Sequence, residues 1–290
     1  MLKKEMYMAA GDGCHPIVKI ISEIRKAVKE NAPLIHCITN PISIHDCANV
    51  VLAAGARPMM AEHPEEVAEI TVTAGALALN LGNITDARKA SILIAGKTAM
   101  EHDIPVIVDM VGIGCSRFRK NIIREFLDQR VKGARLILKG NMSELMALAL
   151  EHHDVSGVDV APEDILSKDH AEEGIRLAKD VAKKYHAVVL ASGATDLVTD
   201  GEKVYMIHNG SEMMAKITGT GCMLNVLTAA YMSSGFILEG AVAACVVLGI
   251  SGEIASERCS GTGSFQTEFL DALFSMTDTQ IEEKIRGQVS

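Results

Sequence analysis

Short runs of consecutive apolar residues, each followed by an amphipathic stretch, recur along this chain and restrict its fold more than any other feature. Val106-Ile107-Val108 and Val188-Val189-Leu190 are apolar at every position. A strand of that kind has both faces covered, as in a parallel sheet with helices on either side. The expected strands are residues 34–38, 76–81, 105–109, 135–138 and 187–191. Residues 15–31 read as a helix, and within 45–54 Cys47, Val50, Val51 and Ala54 fall at i, i+3, i+4 and i+7, one helical face. Thr85 is suited to cap a helix reaching about His102. Strands and helices in alternation specify an α/β fold with a mainly parallel central sheet.

The second half adds different elements. Residues 197–199 and 203–207 flank Asp200-Gly201 and read as a hairpin whose turn takes positive φ angles, which places an antiparallel edge on the sheet. After Gly219 the chain becomes rich in Ala, Val and Leu, consistent with two closely packed, largely buried helices. Residues 1–13 carry no clear period and are expected to form a flexible N-terminal segment. No repeat or linker interrupts the rest, so 14–290 is expected to be a single domain.

Charge and cysteine content exclude several functions. Twenty-eight Lys and Arg against 37 Asp and Glu give a net charge of −9 with no long basic run, so the footprint of a nucleic-acid binder is missing. Seven cysteines without CxxC spacing indicate neither a disulfide framework nor a zinc site and point to a reducing compartment. The apolar stretch 236–250 is broken by Glu239, and the N-terminus has no signal-type apolar core. A cytoplasmic protein with a small-molecule ligand and no membrane partner is expected.

Open α/β sheets bind ligands beyond the carboxyl ends of their strands. Here the strands run out into Thr39-Asn40, Asn80 to Gly82, Asp109, Lys139-Gly140-Asn141 and Ser192-Gly193. Asp109 closes an apolar strand, where it either holds a cation or caps a loop amide. Glu144 either reaches the same rim or serves as a carboxylate favoured at a helix start. Thr218-Gly219-Thr220-Gly221-Cys222 leads into an apolar helix, and the free amides of such a start suit a phosphate. Cys222 in the first turn is either an inert core thiol or a reactive group whose pKa the helix field lowers.

Several familiar patterns fail. Ala95-Gly96-Lys97-Thr98 resembles the end of a P-loop, but Ser91 stands where the first glycine belongs and the segment falls inside a helix. Gly112-Ile113-Gly114 and Gly219-Thr220-Gly221 are followed by Arg117 and Leu224 where the dinucleotide fingerprint needs glycine. His152-His153-Asp154 lacks metalloprotease spacing and reads as a solvated loop.

Taken in order, Leu34 to Asn40, Ala48-Asn49-Val50, Gly55 to Ala61, Asn80-Leu81-Gly82, Asp109 to Gly114, Gly140 to Glu144, Gly157-Val158-Asp159, Gly219 to Cys222 and Gly263-Ser264-Phe265 resemble the hydroxyethylthiazole kinases, a ribokinase-like family of thiamine salvage. The resemblance runs from about residue 15 to 275 and implies a three-layer α/β/α fold. It implies transfer of the γ-phosphoryl group of ATP to the primary hydroxyl of 4-methyl-5-(2-hydroxyethyl)thiazole. By the same resemblance Asp109 and Glu144 hold magnesium directly or through water. Lys139, Ser192 and Asn141 belong to the ATP site, the first two at positions more often Arg and Thr. Met60, Asn40 and the Gly219 backbone belong to the thiazole pocket, Gly219, Thr220 and Gly221 to the catalytic turn, and Cys222 stands at the catalytic base. The family likeness also implies a homotrimer with active sites at subunit interfaces. Two other expectations compete with it, a ribokinase-like kinase for a hydroxymethylpyrimidine or sugar, and a ligand-binding homologue without turnover.

Overall fold

The computed structural model describes residues 6–7, 16–150 and 171–290. Residues 152–154 and 157–159, both singled out in the sequence, lie outside the described residues. The strands are β1 (Met6–Tyr7), β2 (Leu34–Ile38), β3 (Arg57–Met59), β4 (Ala76–Asn80), β5 (Val106–Asp109), β6 (Leu136–Gly140), β7 (Val188–Ala191), β8 (Asp196–Thr199), β9 (Val204–Ile207) and β10 (Gly287–Val289). They form one sheet in the order β1-β10-β9-β8-β7-β6-β5-β4-β2-β3. The run from β7 through β6, β5, β4 and β2 to β3 is parallel, and the β8, β9, β10 and β1 side is antiparallel.

The five strands expected from apolar runs are present to within two residues at either end. Their alternation sorts the core into two layers. Ala76, Ala78, Ile107, Ile137 and Leu190 face one layer, and Leu77, Leu79, Val106, Val108, Leu136, Leu138 and Val189 face the other. The first layer is built with α1 (Pro16–Asn31), α2 (Ile44–Ala53), α8 (Thr220–Met232), α9 (Ile237–Arg258) and α10 (Thr262–Ser275). The second is built with α4 (Asp86–Glu101), α5 (Arg117–Asp128), α6 (Met142–Ala149) and α7 (Ala171–Tyr185). Three layers, α/β/α, follow. Each fully buried Val, Leu or Ile contributes about 1.5–3 kcal/mol, and small Ala76 and Ala78 leave room for α8 to lie close on β4.

Helix α9 is long and apolar enough to cross a membrane by composition, yet most of it is buried inside this fold, as expected of a core helix. Thr85 caps α4 by accepting from Arg88 N. The false P-loop lies within α4, where the bare Cα of Gly96 packs against the Phe126 ring.

Three strands were not legible. β3 contains a proline and only three residues, β10 has no apolar run, and β1 lies within the segment expected to be flexible. The hairpin differs from the tight turn expected. Four residues separate β8 from β9, Gly201 alone among the turn residues has positive φ, and Asp200 Oδ1 instead accepts from Glu202 N and Lys203 N. A side chain thus supplies the turn's hydrogen bonds where a second positive φ was anticipated.

Candidate active site

The parallel register carries three polar residues into one row. Asn80 pairs with Asp109 and Asp109 with Lys139, the last or near-last positions of β4, β5 and β6. Their parity matches Ala78, Ile107 and Ile137, so all three face the layer that contains α8. All three are buried. Lys139 Nζ donates to Asp109 Oδ2 at 2.8 Å, and Val111 N donates to Asp109 Oδ1 at 3.2 Å. Burial opposes the Lys139 charge, but Asp109, by charge and hydrogen bond, together with Cys222 and Glu144 holds the ammonium above the ordinary lysine value.

Glu144 comes to this row from α6. Its Oε2 accepts from Asn141 N and its Oε1 from Gly112 N, while Asn141 Oδ1 accepts from Glu144 N, a reciprocal capping box. Both sequence alternatives for Glu144 therefore hold in part: it completes a helix start, and it stands close enough to Asp109 and Lys139 to feel their charges. Burial pushes its carboxyl upward, against the pull of the two amide donors.

Above the row sits the start of α8. Gly219 caps it with φ +90°, and a side chain there would collide with Ser43, so a glycine is required twice over. The Cβ position of Gly221 is 3.8 Å from Lys139 Nζ. A buried ammonium thus lies beside the first turn of a helix, an arrangement suited to an anion.

Cys222 follows directly. Its sulfur accepts from Asn80 Nδ2 at 3.4 Å and shares a hydrogen bond with the Ser43 side chain. The expectation that the helix field lowers its pKa is corrected. Burial pushes the thiol up, the hydrogen bond to Ser43 pulls it down, Asp109 raises it, and Lys139 and Asn80 lower it, with the net direction upward.

Ser192, Thr220 and Gly221 line a cavity of about 710 Å³ between the loops after β7 and β9, the start of α8 and the middle of α9. That volume lies in the range of small-molecule pockets. Asp196 lines it too, and desolvation raises its carboxyl to about 6. Asn40 and Met60 lie outside this cavity. Asn40 Oδ1 accepts from Ile42 N and Asn83 Nδ2 beyond β2, and Met60, just after β3, is partly buried against the layer of α8.

Two buried residues escaped the sequence reading. Arg88 donates to the carbonyls of Thr39, Asn80, Gly82 and Asn83, tying together the chain ends beyond β2 and β4. His36 bridges Ala61 O and Thr71 Oγ1, both at 2.9 Å. A carbonyl can only accept, so Nε2 carries the proton and Nδ1 accepts from Thr71. Their partners are mostly backbone carbonyls, which leave no signature in a sequence.

The model of the family described as "HK: Hydroxyethylthiazole kinase family" matches residues 25–279. The chain belongs to the hydroxyethylthiazole kinase family. It is 48% identical over 264 residues to hydroxyethylthiazole kinase 2 of Clostridium botulinum, covering 91% of this chain and 98% of that one. The solved hydroxyethylthiazole kinase protein of Pyrococcus horikoshii superposes with a TM-score of 0.83 at 32% identity, over 94% of this chain and 99% of that one. A ribokinase-like superfamily protein of Enterococcus faecalis shares the fold at 12% identity and a TM-score of 0.57, over 84% and 88% of the two chains. The ribokinase-like fold expectation is met, and the chain is a kinase. The row Asn80–Asp109–Lys139 and the turn 219–222 are the candidate site of this chain.

Proposed function

We propose that this kinase transfers the γ-phosphoryl group of ATP to the primary hydroxyl of 4-methyl-5-(2-hydroxyethyl)thiazole in thiamine salvage. The observation that carries the reading is the placement of Lys139 Nζ beside the α8 start, at the edge of a cavity of small-molecule size. ATP enters that cavity past Ser192 and Thr220, with its terminal phosphates at Gly219 to Gly221. The acceptor occupies the opposite side, near Asn40 and Met60.

In-line transfer needs positioning and neutralisation of charge more than covalent chemistry. Lys139 and the α8 amides stabilise the transferring group as it leaves the β-phosphate oxygen. The alcohol oxygen forms the new bond to phosphorus, and its proton passes to Cys222 in its thiolate form, leaving the neutral thiol. Asp109 and Glu144 fit magnesium. They offer hard oxygens, and an oxygen that accepts one N–H keeps a second lone pair. Among the described residues no cluster of three or more metal-type ligands occurs. When bound, magnesium supplies charge neutralisation at the phosphates.

We place the enzyme in the cytoplasm, a reading supported by six free cysteines among the described residues. We also propose a homotrimer with interfacial sites, supported by Ile42, 64% exposed two residues from Asn40, and by Met59, 37% exposed beside Met60.

A coupled assay with ATP, magnesium and a panel of thiazole, pyrimidine and sugar alcohols tests the function. Phosphorylation of the thiazole alcohol is expected, with Cys222→Ala lowering kcat by about 10²–10⁴. Preference for another alcohol overturns the substrate, and a Cys222→Ala variant as fast as wild type removes the proton acceptor.

A further inference from the structure

Asn80 is fully buried at the end of β4 with both ends of its amide engaged, one of them by Cys222. Gly82 N donates to Asn80 Oδ1 at 2.8 Å. A backbone N–H can only donate, so the oxygen must face Gly82 and the NH2 group must face Cys222. The sulfur 3.4 Å away is therefore an acceptor in this contact. The turn that enforces this orientation is tightly built. A Cβ on Gly82 would sit 2.6 Å from Asn40 Nδ2 and 2.9 Å from Asn80 Oδ1, and Arg88 takes the carbonyls of both Asn80 and Gly82.

We propose that Asn80 is a positioning residue that holds the Cys222 sulfur in place through its amide N–H. Asn80 engages one lone pair of the sulfur, and the Ser43 side chain is its other hydrogen-bond partner, so the sulfur is held from two sides. The same N–H bond is stronger to the thiolate than to the thiol, since hydrogen bonds to an ionised partner are the stronger ones, so it favours the form of Cys222 that can take the proton. Its contribution thus falls on the proton-transfer step, and so on kcat rather than on substrate binding. This inference rests on Cys222 as proton acceptor.

Asn80→Ser is the informative variant. A serine hydroxyl can still accept from the amide two residues on, which keeps the turn, but it is too short to reach the sulfur. The expected result is a roughly tenfold or larger fall in kcat, KM values for ATP and the thiazole alcohol within about threefold, and a cooperative thermal transition like that of wild type. In a Cys222→Ala background the same substitution is expected to change kcat by less than about threefold. An equal loss in both backgrounds, a wild-type kcat for Asn80→Ser, or a change confined to KM overturns the proposal. Cys222→Ala measured alone separates the two ideas: if it is impaired and the cycle shows no coupling, only the role of Asn80 falls. If Asn80→Ser does not fold, Asn80→Ala carries the same cycle.

Discussion

Lys139 and Asp109 are both almost fully buried, and each makes the other tolerable. A buried ion pair is weak evidence for stability, because desolvation costs several kcal/mol per ion, but losing one partner leaves an uncompensated charge. Lys139→Met is expected to destabilise the fold by about 3–5 kcal/mol in urea titrations and to abolish turnover. The double variant Lys139→Met with Asp109→Leu is expected to recover most of that stability and none of the activity. Recovered stability without activity would assign the pair to the chemistry rather than to the core. If the double variant remained as unstable as the single one, the pair would be structural. Cys222 and Asn80 obey the same logic at lower cost, since a thiol and an amide can be buried without charge so long as their hydrogen bonds are made.

At the scale of elements, helix starts do the most for this site. α8 begins on a glycine with positive φ and presents free amides beside Lys139, and α6 begins with the Asn141–Glu144 capping box. Glu144 is thereby both cap and proposed magnesium partner, and one substitution separates the roles. Gln serves at the third helical position of a capping box as well as Glu does, so Glu144→Gln is expected to keep the melting temperature within a few degrees. The same variant is expected to lower activity and raise the magnesium concentration needed for half-maximal rate. An unchanged magnesium dependence would assign Glu144 to the cap alone. α9 contributes by being thin: Gly249 passes so close to the Asn209 backbone that a Cβ would sit 2.6 Å from its carbonyl oxygen, along the wall of the cavity.

For the whole molecule, the net charge of −9 opposes the approach of ATP. The proposed anion site would counter this locally, from one buried lysine and a helix start. Arg88 is no help, because its guanidinium is committed to backbone carbonyls. Exposed Ile42 and Met59 lie beside the proposed acceptor side rather than the cavity side, so subunit contact there would close the thiazole pocket. Light scattering at micromolar concentration is expected to give the mass of three chains, and Ile42→Asp is expected to weaken both assembly and affinity for the thiazole alcohol. A monomer with full activity would overturn the interfacial site.

The parallel strands, the Thr85 cap, the buried pair of C-terminal helices and the glycine turn before Cys222 were determined by the sequence alone. Each is a pattern over a few residues, and backbone geometry answers directly to such patterns. The polar strand ends were also visible, but not their alignment. That Asn80, Asp109 and Lys139 share a row depends on register between strands separated by whole helices, and that Cys222 meets Asn80 joins residues 142 positions apart. β3 and β10 exist because neighbouring strands offer them hydrogen bonds, with no apolar run of their own. The direction of the Cys222 pKa was misread for the same reason. A helix start is a local feature that lowers a thiol, whereas burial, which raises it more, is imposed by the layers packed around the site.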